Sequence, residues 1–159
     1  DLCTSGTGEP FTQTVINAIF QNNEGSDIQL QRYSTEIGDP RLSQSNIVIG
    51  TLTTNLPGGR CPNGTRQCFT DADCGLGGGL VTCQHSETTV SGIVLFDFLG
   101  KEFIYTVSLA HPEVLGQATP LKVTFFGSDP NRSFQIFANY LVTFGNYNNC
   151  PSSGGTGGS

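Results

Sequence analysis

The sequence contains no methionine and no tryptophan, and only 13% of its 159 residues are charged, against about 25% in ordinary soluble domains. Thirteen acidic and seven basic side chains give a net charge of −6, so the chain lacks the basic surface that binds nucleic acids or anionic membranes. No long apolar run is present, which predicts no membrane span. A chain that begins at Asp1 and lacks methionine is typical of a mature product whose targeting segment has been removed.

Uncharged polar residues and glycine replace the missing charges. A surface with so few charges lacks the usual protection against association of one sheet edge with another. Two interpretations are compatible with this composition. The surface is either a neutral or glycosylated extracellular one, or it is covered by neighbouring copies of the chain.

The six cysteines are even in number and include no Cys-x-x-Cys pair, which favours disulfides over a redox or zinc site. Cys3 and Cys150 lie near the two ends, and a bond between them would stabilise the chain by about 5 kcal/mol in the chain-entropy estimate. That bond would lie within one subunit or join two subunits. The other four form a glycine-rich cluster whose three connectivities stay open: Cys61, Cys68, Cys74 and Cys83.

The segment Cys61-Pro-Asn-Gly-Thr-Arg-Gln-Cys68-Phe-Thr-Asp-Ala-Asp-Cys74 resembles short disulfide-rich segments of secreted bacterial surface proteins. The resemblance is confined to residues 61–83. It implies export and disulfide formation, and it implies no particular activity. The predicted location is therefore secreted, extracellular or on the cell surface.

Alternation of apolar and polar residues, which is typical of half-buried strands, dominates the chain after residue 20. The alternation predicts strands at 27–34, 46–56, 88–98, 102–110, 121–126 and 133–144. Leu99-Gly100-Lys101 predicts a tight turn between two of them. Asp97, which interrupts an apolar strand, is expected to face solvent or bond to a neighbour. Segment 11–20 fits a helix or a strand, with a preference for a strand.

These elements predict an all-β fold, an antiparallel β-sandwich or jelly roll of about 7–8 strands. One domain would span residues 1–150, with a disulfide-rich insert at 57–83. Residues 151–159 have the composition of a flexible linker.

Both histidines occur in His-x-Glu pairs, His85–Glu87 and His111–Glu113. On a strand, residues i and i+2 share a face, so each pair offers two metal ligands. The Pro-Cys-x-x-Cys partner that zinc deaminases need is absent. Serines occur in no Gly-x-Ser-x-Gly motif, and the sequence therefore predicts no catalytic residue.

Asp71-Ala-Asp73 resembles the start of a calcium loop. The pattern fails at its fifth position, where Gly75 stands, and the Glu of its twelfth position is missing. The alternative is that both carboxylates bond to backbone amides of a turn. No metal or cofactor is predicted, and the remaining candidate ligands are Asp71, Asp73, His85 and Glu87.

Two segments match the glycosylation acceptor pattern, and they place the acceptors at Asn63 and Asn131. Glycans are also a candidate partner, because sugar rings stack on exposed aromatic side chains. The candidates for such a surface are Tyr33, Tyr140 and Tyr147.

The sparse catalytic groups and scarce charges predict a secreted structural protein that is not an enzyme. It would be a subunit of an extracellular or cell-surface filament, pilus-like, or of an adhesive assembly, and its main partner would be itself. Residues 1–20 would form an arm that donates a strand to the next subunit, through Phe11, Val15, Ile16, Ile19 and Phe20. The alternatives are an extracellular carbohydrate-binding module and, third, a metal-dependent enzyme using the two His-x-Glu pairs.

Overall fold

The computed structural model describes residues 13–43, 48–62, 66–75 and 81–145. Six strands and two α-helices lie in these ranges, with a short 3₁₀ turn at Pro112–Val114. In chain order they are β1 (Thr14–Gln21), β2 (Ile28–Ile37), β3 (Ile49–Leu56), α1 (Asp71–Cys74), β4 (Glu87–Phe96), α2 (Phe98–Ala110), β5 (Ala118–Ser128) and β6 (Ser133–Thr143). Several predicted features lie outside the described residues: Cys3, Phe11, Asn63, Tyr147, Cys150 and the tail 151–159.

The strands form two antiparallel sheets. The larger sheet has the order β3-β2-β5-β6, and β1 pairs with β4 in the smaller one. The predicted all-β class is confirmed, with six strands in the described ranges where about 7–8 were predicted. The strand preference for segment 11–20 is confirmed for the part that forms β1.

One hydrophobic core joins the two sheets and α2. It includes Leu30 and Val123 from the larger sheet, Ile93 from β4 and Ile104 from α2. Buried and exposed residues alternate along β5, as expected for an antiparallel sheet with one face on the core and the other in solvent. The alternation that predicted the strands therefore marks the face that packs on the core.

Tyr33 of β2 links the two sheets. Its hydroxyl accepts a hydrogen bond from the backbone N–H of Val94 in β4 at 2.8 Å. The ring fills the space beside its partner Gly50 on β3, so that a Cβ on Gly50 would overlap it. Tyr33 is only 4% exposed, and the prediction that it belongs to an exposed sugar-stacking surface is therefore wrong.

The prediction of a turn at 99–101 and a strand at 102–110 is wrong, because these residues belong to α2. Asp97 is the N-cap of this helix, and its carboxylate accepts a hydrogen bond from Gly100 N at 2.7 Å. An aspartate in this position satisfies one of the amides that a helix leaves unpaired at its start. The interruption of the apolar segment at Asp97 thus marks the boundary between β4 and α2.

The buried residues of α2 recur every fourth position, at Gly100, Ile104 and Ser108. Spacing of four residues places them on one face of a helix. The alternating apolar residues that favoured a strand do not form this face: Phe103, Tyr105 and Val107 are half-buried, and Leu109 is 68% exposed. The pattern of residues 102–110 therefore did not distinguish a helix from a strand.

Candidate assembly interface

The two edge strands of the larger sheet, β3 and β6, contain no charged residue. The charged residues of this sheet lie on its two central strands, Arg32 and Glu36 on β2 and Lys122 on β5. Soluble proteins place charges in the opposite way, on edge strands, because an unpaired edge is a template for another strand. The edges of this sheet therefore lack the charges that prevent strand addition.

Strand β6 is the longer of the two edges, with eleven residues. One side of β6 pairs along its whole length with β5. No strand in the described ranges pairs with its other side. Phe137 and Leu141 on this strand are 64% and 74% exposed, and both lie on the solvent face of the sheet. The result is a long, neutral and partly apolar edge.

The core-facing side of β6 is also incompletely covered. Ile136 pairs with Phe125 and Tyr140 pairs with Leu121. The β5 partners are 2% and 1% exposed, whereas Ile136 and Tyr140 remain 39% and 36% exposed. The smaller sheet has two strands against four, and the protection of the core therefore decreases at β6.

The hydrogen-bond pattern shows which backbone groups of β6 lack a partner. Gly38 N donates to Pro120 O at 2.7 Å, so even-numbered residues of this part of β5 direct their backbone groups toward β2. Odd-numbered residues then bond to β6, where residues 121 and 123 face residues 140 and 138. The alternate β6 residues direct N–H and C=O away from the sheet: Gln135, Phe137, Asn139 and Leu141.

The β3 edge has the same arrangement near its start. Thr35 N donates to Val48 O at 3.1 Å, so Val48 directs its backbone groups toward β2. The groups of Ile49 and Thr51 therefore point outward. Ile49 is 64% exposed, and within the described ranges no strand pairs with this edge.

Several of the other charged groups form ion pairs at turns and loops. Arg41 contacts Asp39 at 2.6 Å and Glu113 at 2.8 Å, and Arg60 contacts Asp27 at 2.7 Å. The side-chain hydrogen bond from Arg41 is the main cause that lowers the pKa of Asp39, with burial opposing it. These pairs stabilise turns and leave the sheet edges neutral.

Two disulfides hold the insert, Cys61–Cys74 and Cys68–Cys83, with Cα–Cα distances of 5.5 and 5.8 Å. The prediction of disulfides is confirmed for these four cysteines, and their connectivity is settled. Three of the sulfur atoms lie within 4.8 Å of one another. Since all of them are in disulfides, they offer no thiolate to a metal.

The two candidate calcium ligands of the insert bind backbone amides. Asp71 Oδ1 accepts from Cys83 N at 2.7 Å. Asp73 Oδ2 accepts from Phe69 N and Thr70 N, each at 2.8 Å. These backbone hydrogen bonds lower the pKa of Asp73, Thr70 contributing most. The carboxylates thus shape the turn that carries α1, which was the alternative interpretation of this motif.

The two His-x-Glu pairs lie in different surroundings. His85 Nδ1 lies 2.8 Å from the carbonyl oxygen of Asn22, and Glu87 is exposed at the start of β4. His111 Nδ1 lies 3.2 Å from Glu113 Oε1. Among the described residues, the sulfur cluster is the only group of three potential ligands that lie close together. The structure does not assemble these two pairs into one site.

The proposed arm residues that the structure describes, Val15, Ile16, Ile19 and Phe20, lie in β1 of the subunit itself. Strand β1 pairs with β4 of the same chain over residues 14–21. Phe20 packs edge-on against Phe125 with ring centroids 4.9 Å apart, and Ile16 packs against the core. Val15 and Ile19 lie on the opposite face, 55% and 67% exposed.

The second glycosylation candidate, Asn131, lies in the turn between β5 and β6. Its backbone N–H donates to Asp129 Oδ1 at 2.7 Å, and the residue is exposed. A glycan on Asn131 would extend from the end of the sheet, since the turn precedes the first residue of β6.

No protein-family model matches the chain, and no curated protein matches it. In the ranges that the structure describes, no helix has both the length and the apolar character that a membrane span requires. The two neutral edges and the oxidised insert are therefore the features of the described structure that bear on function.

Proposed function

We propose that this protein is a secreted structural subunit of an extracellular or cell-surface filament or adhesive layer. Copies of the chain join by strand addition at the edges of the larger sheet, in a β-sandwich whose open edges are the assembly surfaces. The placement of charge carries this proposal: the central strands are charged and both edges are neutral.

Strand addition supplies main-chain hydrogen bonds, and adjacent side chains supply specificity. The outer side of β6 offers at least four residues whose backbone groups point away from the sheet. Its exposed apolar residues, Phe137 and Leu141, would be partly covered by the neighbouring side chains of the added strand. Each such cross-strand pair contributes about 0.2–1 kcal/mol.

The two disulfides support an oxidising location. Disulfides persist in secreted and surface proteins and are rare in reducing compartments. In the described part of this insert the one helix, α1, is only four residues long. The insert therefore depends on covalent bonds and not on a large core.

A second mode of assembly is exchange of β1 between copies, which corresponds to donor-strand addition. The core contacts of Phe20 and Ile16 would be the same in an exchanged strand as in the chain's own strand. Deletion of residues 1–20 does not test this mode, because it removes most of β1 and with it part of the core. The unpaired edges need no such exchange, and this favours them as the principal contact.

The test uses electron microscopy and sedimentation velocity on the native, non-reduced protein. We expect filaments or ordered layers for the wild type. Asn139→Pro should prevent them, because it removes an outward N–H to which no strand of the described residues pairs, and proline is tolerated on edge strands. Asn139→Ala loses the same side chain but keeps that N–H, so it is the matched control and should still assemble where Asn139→Pro does not.

Unfolding curves of both variants establish that the subunit is folded. Dispersed monomers of the wild type at all concentrations would refute the structural role. A glycan-array screen would then examine the carbohydrate-binding alternative, for which Tyr140 is the one candidate tyrosine that is both described and partly exposed.

A further inference from the structure

We infer that the β6 edge of one copy pairs with the β3 edge of the next, so that a single continuous antiparallel sheet runs through the assembly. This inference rests on the proposed function and specifies its geometry. The occupant of each edge is thus a second copy of this chain, joined through the opposite edge of its larger sheet.

Strand direction is the first argument. Each neighbouring pair in the order β3-β2-β5-β6 is antiparallel, so β3 and β6 run in opposite directions. If a second copy is translated along the sheet, its β3 lies antiparallel to β6 of the first copy. The alternation of strand directions then continues across the junction without interruption.

The free backbone groups are the second argument. On β6 the outward groups belong to residues that face solvent, including Asn139 and Leu141. On β3 they belong to Ile49 and Thr51, which also lie on the solvent face. In an antiparallel ladder, directly opposed residues share a face and exchange their hydrogen bonds. The two edges therefore present matching residues to each other.

Side-chain chemistry selects the register. Strand β3 has eight residues and β6 has eleven, so few registers pair β3 over its whole length. The register that opposes Leu141 to Ile49 pairs the most exposed apolar residue of each edge. It also opposes Asn139 to Thr51, a polar pair on the solvent face, and both pairs lie before the irregularity of β3 between Thr51 and Thr54.

The contact is heterologous, because each copy uses two different edges. Heterologous contacts that do not close into a ring give open helical filaments. Four strands at about 4.8 Å spacing give about 19 Å per subunit along the filament. A twist of about 20–25° per strand gives about 80–100° per subunit, or roughly four subunits in each turn.

The test measures the critical concentration for polymer formation with single charges on each edge. Leu141→Lys and Ile49→Glu should each raise it about tenfold, which corresponds to about 1.4 kcal/mol per junction. An equimolar mixture of the two variants should regain assembly, since the lysine introduced on β6 of one variant then meets the glutamate introduced on β3 of the other. Fibre diffraction should show a reflection near 4.8 Å along the filament axis.

Val15→Lys is the matched control, because it adds a charge at an exposed apolar residue of β1, which belongs to the smaller sheet. It should leave the critical concentration unchanged. If only Leu141→Lys raises the critical concentration, β6 pairs with β6 and not with β3. If the mixture fails to assemble, the register is wrong. Either result overturns this inference, whereas the proposed function stands as long as the wild type forms filaments. Absence of wild-type filaments would instead refute the proposed function itself.

Discussion

The hydrogen bond between the Tyr33 hydroxyl and Val94 N predicts a measurable loss of stability in Tyr33→Phe. The substitution keeps the ring, which is 4% exposed, and removes only the acceptor for a half-buried N–H. An unsatisfied buried donor costs about 1–3 kcal/mol. Because Val94 is not fully buried, water partly replaces the hydroxyl, and we expect about 1–1.5 kcal/mol.

Urea denaturation under non-reducing conditions measures this difference, provided that the slope with denaturant stays the same. In a thermal experiment the loss corresponds to a fall in Tm of about 2–6 °C for a domain of this length. Tyr140→Phe is the control, because Tyr140 is partly exposed and its hydroxyl makes no hydrogen bond within the described structure. It should change the free energy of unfolding by less than about 0.5 kcal/mol.

Equal losses in the two variants would refute the link between the sheets at Tyr33. A second variant examines the ring itself. Gly50→Ala places a Cβ inside the volume of the Tyr33 ring, and overpacking of this kind costs about 1–3 kcal/mol. In a Tyr33→Ala background the same substitution should cost much less, because the overlapping ring is gone. A cost that does not depend on Tyr33 would contradict the packing described.

Three further predictions concern other parts of the fold. Ile19 and Thr89 face each other across β1 and β4, so the double variant Ile19→Cys and Thr89→Cys should form a disulfide within one chain. A ladder of disulfide-linked species on a non-reducing gel would show instead that β1 is exchanged between copies. Gly59→Ala places a Cβ 2.6 Å from a sulfur of the second insert disulfide. Urea denaturation should show a free energy of unfolding that is lower by about 1–3 kcal/mol. A free energy equal to that of the wild type would contradict the close approach. The hydrogen bond from Arg41 lowers the pKa of Asp39 in the folded protein. The ionised Asp39 therefore stabilises the fold fully above the unfolded-state pKa of about 3.9. This stabilisation is lost as the pH falls through the lower folded-state pKa. Asp39→Asn should therefore lose less stability than the wild type between neutral and strongly acidic pH, and identical pH profiles would refute this ion pair.

Five of the strands were predictable from the sequence within a few residues at their ends. Apolar and polar residues alternate along β2 and β6 because one face of each strand packs on the core, and the pattern is local. The same rule was wrong for α2. Its buried residues, Gly100, Ile104 and Ser108, are not the alternating apolar residues that favoured a strand, and the capping role of Asp97 was the signal that could have corrected the prediction.

The candidate interface was predictable in part. Scarce charge indicated weakly protected sheet edges, but the identity of the edges depends on strand order, which is a property of long-range pairing. Strand β1 pairs with β4, far along the chain, and this pairing places the apolar segment 14–21 inside the subunit. The oxidation of the four clustered cysteines followed from their number and spacing, whereas their connectivity required the positions of α1 and β4.

The distribution of charge over the larger sheet is the observation that favours the proposed assembly over a merely neutral surface. A low charge content alone would not select particular strands of the sheet. Arg32 packs over the ring of Phe126, and Glu36 lies opposite Lys122 across β2 and β5, so charges are compatible with the solvent face of this sheet. Their restriction to central strands leaves both neutral edges as templates for pairing. A sheet that must avoid pairing needs the reverse arrangement, and for this reason the edges, more than the overall composition, support a structural role.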